Sequence, residues 1–122
     1  MAEQNFRLKD LERVRARAAL SALSGQRGVD GLEGLPIRMR SQGMVTGLTL
    51  LAKRSPALAD DIAGYLTETW PLSPLPRGRE RLSGLVRGWC ALEPNEAALV
   101  EAEALRFAEA LKLLSKATGD QG

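Results

Sequence analysis

The sequence predicts an all-α fold: one bundle of about five helices, arranged around a central helix that is apolar on two sides. Three observations carry this. Apolar residues recur at three- and four-residue steps through most of the chain. Aromatic residues make up only 4% of the 122 residues, so the core must be built from Leu, Ala, Val and Met, which suits packed helices. Gly and Pro cluster in a few short stretches that separate the periodic ones.

The first helix is predicted over residues 6–23. Leu8, Leu11, Val14, Ala18 and Ala22 form its apolar stripe, and Lys9, Arg13 and Arg17 sit four apart on the opposite side. Gly25, Gly28, Gly31 and Gly34 mark a loop. The second helix is predicted over 36–54, with Pro36 in its first turn, where a missing N–H costs nothing. Ile37, Met44, Leu48 and Leu51 line one side and Met39, Gly43, Gly47 and Leu50 another, which places this helix at the centre. Gly43 and Gly47 each cost roughly 1 kcal/mol against Ala in a helix, so close packing by a neighbouring backbone is the expected compensation.

Ser55-Pro56 starts a third helix as N-cap and first residue. Asp60 and Asp61 lie early in it, and Ala59, Ile62, Leu66 and Trp70 form its stripe. Pro71, Pro74, Pro76 and Gly78 then forbid a continuous helix, so 71–78 reads as a linker. A short fourth helix is expected over 79–92. Pro94 opens the last helix, to about residue 117, with Ala97, Val100, Ala104, Phe107, Leu111 and Leu114 alternating three and four apart. Glu96, Glu101 and Glu103 precede Lys112 and Lys116, the order that suits the helix dipole. Residues 118–122 read as a frayed tail, and the whole of 1–122 as one domain.

The net charge of +2 hides a segregation. Residues 1–54 carry ten Lys/Arg against five Asp/Glu, and 71–90 carry four against one. Residues 55–70 carry three acids and no base, and 91–122 six acids against three bases. A basic surface of this kind steers polyanions.

Chemistry of the usual catalytic kinds is missing. With no histidine the commonest general base and metal ligand is absent, and one cysteine provides neither a disulfide nor a thiolate zinc site. No nucleophile elbow, P-loop or dinucleotide fingerprint is present. Asp60-Asp61 is read as a helix-start pair and Cys90, beside Trp89, as a core residue. The expectation is no enzyme, no catalytic residues, no metal and no cofactor; a hydrolase using carboxylates alone is the remote alternative. The polar N-terminus lacks a signal-peptide core and no apolar run reaches membrane-spanning length, so the expected location is cytoplasmic.

The candidate RNA-backbone contacts are Lys9, Arg13, Arg17, Arg38, Lys53 and Arg54. Lys9, Arg13 and Arg17 span two turns, roughly 12 Å, enough to follow neighbouring phosphates. Arginine offers phosphate a planar fork of two donors. With almost no aromatic residues to stack on bases, backbone binding without sequence preference is the physical expectation. Gly43 and Gly47 are the candidate helix-packing positions.

The segment Leu35-Pro36-Ile37-Arg38-Met39-Arg40-Ser41-Gln42-Gly43-Met44-Val45-Thr46-Gly47-Leu48-Thr49-Leu50-Leu51-Ala52-Lys53 resembles a signature of the small α-helical subunit of type III-B (Cmr-type) CRISPR effector complexes. Glu103-Ala104-Leu105-Arg106-Phe107 with Leu111-Lys112 is similar to that family's second signature, and Arg13, Arg17 and Ala18-Ala19-Leu20 to its opening helix. Gln42 stands where the family has Asn, and Ala110 where it has Trp. The resemblance implies a non-catalytic subunit of a ribonucleoprotein complex for RNA-guided antiviral defence. It would pack against backbone and large subunits and neighbouring copies of itself, along crRNA and target RNA, while base pairing supplies sequence choice. A helical protein-interaction adaptor without nucleic-acid contact, docking through 91–122, is the alternative reading.

Overall fold

A computed structural model describes residues 8–24, 32–77 and 81–119, with the side chains of 8, 9, 118 and 119 outside that description. It is all-α, as expected. The helices are α1 (Leu8–Ser24), α2 (Leu35–Gln42), α3 (Met44–Arg54), α4 (Pro56–Gly64), α5 (Arg81–Cys90) and α6 (Pro94–Gly119), with a π-helical segment, Tyr65–Thr69, continuing α4. The core joins residues from every helix; Leu35, Leu48, Leu51, Leu58, Ile62, Leu66, Leu85, Val100, Phe107 and Leu111 are its largest fully buried side chains.

The helix expected over 36–54 is two helices. Gly43 stands between them at φ +101° and ψ 160°, a conformation that only glycine holds without strain. Its amide caps α2 by donating to Met39 O at 3.0 Å, and its carbonyl accepts from Gly47 N at 3.0 Å to open α3. Gly43 is therefore the corner of a helical hairpin and not a packing contact: a Cβ there would meet nothing within 4 Å. Gly47 does lie in close packing. A Cβ on it would stand 2.7 Å from Met39 Cγ and 3.5 Å from Met39 Cα, so α2 folds back directly onto α3.

This fold-back changes which helix is central. Met39, Met44, Leu48 and Leu51 are buried, but Ile37 is 62% exposed because α2 no longer continues the line of α3. The central position belongs to α4 and the π segment, which pack on α1, α3, α5 and α6. Leu58, Ala59, Ile62, Ala63, Gly64, Tyr65, Leu66 and Thr67 are all buried there. Trp70 N donates to Tyr65 O at 2.8 Å, five residues back, and the buried Thr67 hydroxyl donates to Ala63 O at 2.9 Å.

The expected third helix thus ends in a π turn, and residues 71–77 run on without helix, with Leu75 buried. Asp60 crosses to the next helix: its Oδ1 accepts from Leu82 N at 3.3 Å in the first turn of α5. Trp89 Nε1 donates to Ala97 O at 3.1 Å and joins α5 to α6. Cys90, expected in the core, is exposed at the end of α5. The α6 stripe is inward as predicted: Val100, Ala104, Phe107 and Leu111 are buried and Leu114 is partly so. Phe6, Gly25, Gly28, Gly31, Gly78 and residues 120–122 lie outside the described residues.

Candidate nucleic-acid interface

α1 carries two different surfaces. Its inner side, with Ala19 and Ala22 buried, packs on α6 and α4. Small alanines let the helices approach closely, and they leave room for one large polar group, Arg15. Arg15 Nε donates to Glu103 Oε2 at 2.8 Å and Nη2 to Oε1 at 2.9 Å. Tyr65 OH donates to Glu103 Oε2 at 2.6 Å, and Arg106 Nη1 stands 3.7 Å from Oε1. Glu103 is only 2% exposed. A buried carboxylate is tolerated because its oxygens are met by charged and neutral donors. The Tyr65 ring stacks on Phe107, with centroids 4.1 Å apart and planes 8° from parallel.

The electrostatics follow from this burial. The Tyr65 phenol is pushed far above its usual value, first by burial and then by donating to the Glu103 carboxylate. The Arg15 guanidinium is raised as well, chiefly by its hydrogen bonds to Glu103, against the opposing effect of burial. The sequence placed Glu103 among dipole-complementing acids; the structure makes it the hub of an ionic cluster. Lys112 and Lys116 likewise turn to a partner, Glu33, at 3.7 and 3.2 Å.

The outer side of α1 holds the predicted basic stripe. Arg13 and Arg17 are exposed. Arg13 is only loosely paired, 3.9 Å from Asp10, with its side chain 76% accessible. The side chain of Lys9 lies outside the described residues. Arg38 is half-buried beside Gly34, and Lys53 and Arg54 are exposed at the end of α3. The candidates lie on three helices: Lys9, Arg13 and Arg17 on α1, Arg38 on α2, and Lys53 and Arg54 on α3. α1 packs on α6 and α4, and α3 on α2, α4 and α6. By helix, the candidate contacts fall into an α1 group and an α2–α3 group.

A cleft adds a residue that sequence reasoning did not select. Arg17 and Arg81 line it from α1 and α5, with Asp61, Gly64, Glu68 and Thr69 from α4 and the π segment. Arg81 lies against Gly64: its Nη1 occupies space that a Cβ would need. Burial raises the Asp61 carboxyl above its usual range, the Arg81 charge opposes that shift, and Asp60 adds to it. Arg17 and Arg81, sixty-four positions apart in sequence, line the same cleft; only tertiary folding brings the two together.

Among the described residues no helix is long and apolar enough to cross a membrane, and no group of three His, Cys, Asp or Glu residues is placed to hold a metal ion. Compared with protein-family models, with curated proteins and with solved structures, the chain matches none.

Proposed function

We propose that this chain is a non-catalytic small subunit of a type III-B CRISPR ribonucleoprotein effector, packing along the channel that holds crRNA and target RNA. One observation supports the reading beyond the sequence resemblance itself. The two resembling segments, far apart in the chain, pack on each other. Arg40 of α2 makes an ion pair with Glu109 of α6. Met39 and Met44 line a pocket with Ala102 and Leu105. Two signatures of one family are expected to build one structural unit, and α2, α3 and α6 do so.

On this reading Lys9, Arg13 and Arg17 meet the RNA backbone, with Arg38, Lys53 and Arg54 as a second group, and the site of action is the cytoplasm. The deciding experiment is co-expression with type III-B backbone and large subunits and a crRNA. The chain should co-purify with the ribonucleoprotein at fixed stoichiometry. Its absence from an otherwise assembled complex sinks the proposal.

The adaptor reading draws on a different feature. Ile37 lies one turn after Glu33 and one turn before Arg40, and Leu113 lies between Glu109 and Lys116. Ile37 and Leu113 are exposed, 62% and 68% accessible, on two helices joined by the Arg40–Glu109 ion pair. Exposed apolar side chains on neighbouring helices suit a protein contact. RNA binding by the complex with and without this chain separates the two readings.

A further inference from the structure

The cleft between α1, the π segment and α5 has a mixed character that a plain phosphate site lacks. Its volume is about 470 Å³, and Arg17 and Arg81 reach it from two helices. Both are exposed. Ser21 and Thr69 add hydroxyls to its wall, yet Asp61 and Glu68 add carboxylates. A site built only for phosphate would exclude those acids, because their charge repels the ligand.

We propose that this cleft takes a ribonucleotide segment and selects RNA over DNA, with Arg17 and Arg81 on phosphate and Asp61 and Glu68 accepting from ribose hydroxyls. The proposal rests on the RNA-bound reading above. Guanidinium forks suit phosphate oxygens. Carboxylates are acceptors only, and the 2′-hydroxyl is the donor that RNA has and DNA lacks. The two acids weaken phosphate binding for either polymer, and only RNA supplies donors that offset the loss. Selectivity is a difference of affinities, and here the repulsive element creates it. Gly64 contributes by leaving room for the Arg81 guanidinium against α4, where any side chain would displace it.

The test uses the full chain at low salt, with fluorescence polarisation of short single-stranded RNA, DNA of the same sequence, and 2′-O-methyl RNA. RNA should bind several-fold more tightly than DNA, and the methylated RNA, which cannot donate, should behave like DNA. Arg17→Ala and Arg81→Ala should each weaken RNA and DNA binding several-fold. Asp61→Ala with Glu68→Ala should strengthen DNA binding and bring the RNA/DNA ratio toward one. Glu68→Ala alone, at an exposed position, should move the ratio the same way with helicity intact. Equal affinity for RNA and DNA in the unaltered chain overturns the proposal, as does a ratio insensitive to the acids. Binding of neither polymer also overturns it and leaves the cleft to a protein partner. If the chain joins the effector but shows no cleft-dependent preference, the cleft assignment falls and the subunit reading stands. If it prefers RNA through the cleft but joins no effector, the reverse holds.

Discussion

Arg15 and Glu103, 88 positions apart in sequence, face each other through two nearly parallel hydrogen bonds. The pair ties α1 to α6, the helix it packs on most. Removing the guanidinium leaves a buried carboxylate without its main partner, which costs about 3–5 kcal/mol. Arg15→Ala should lower the urea midpoint accordingly. Arg15→Lys should lie between, since an ammonium keeps the charge but not the fork. Arg13→Ala, on the outer face, should leave the midpoint unchanged.

Tyr65 makes stability fall in alkali. Its folded-state phenol is raised above the unfolded value of about 10 by burial and by Glu103. A raised group contributes stability that is fully present below the unfolded value and is lost as pH rises beyond it. Melting temperature should therefore drop above about pH 10. Tyr65 is the sole tyrosine, so tyrosinate absorbance should appear only as the chain unfolds. Tyr65→Phe should be less stable near neutrality by about 1.5–3 kcal/mol, the loss of a hydrogen bond to a charged group, and should lack this component of the alkaline drop.

Three glycines should respond differently to alanine. Gly43→Ala meets open space but strained backbone, and should cost about 1–3 kcal/mol. Gly47→Ala meets Met39 at 2.7 Å and should cost a similar amount through overpacking, about 1–3 kcal/mol. Gly84, inside α5 with nothing within 4 Å of a Cβ, should gain about 0.5–1 kcal/mol. Denaturant unfolding of the three variants checks the two losses and the gain.

The split of the basic candidates into two groups predicts independence. Reversing Arg13 and Arg17 to Glu, and separately Lys53 and Arg54, should each weaken RNA retention by the assembled effector. The combined variant should show the sum of the two free-energy losses, as expected for sites without shared partners. Each group removed should also flatten the salt dependence of binding. Strong coupling between the groups would show instead that they act on the RNA as one surface.

Much of the fold was legible because helical periodicity is a local property. The stripe of α6, the turn into α4 at Ser55-Pro56 and the short α5 all follow from residue spacing. What escaped was tertiary. Gly43 looked like a packing glycine because a single sequence does not reveal that its neighbours leave it in open space. Ile37 lost its burial when α2 turned away. Arg15 and Glu103 were ordinary surface-type residues until α1 met α6. In the candidate interface, Arg13 and Arg17 were readable from their four-residue spacing. Arg81 was not, because its place on the same cleft as Arg17 depends on tertiary packing.

The backward reach of Trp70 N–H over five residues means that the α4 rod holds one residue more than a regular helix of its length. It is equivalent to a single-residue insertion, which turns everything beyond it by about 100°. The predicted stripe Ala59, Ile62, Leu66 and Trp70 is nonetheless buried along its whole length, across the segment. Trp70 and Leu75, beyond the segment, are both buried in the core. A relative lacking the extra residue would align with this chain on either side of 65–69 but not through it, and a one-position gap in that window is where the two registers would rejoin.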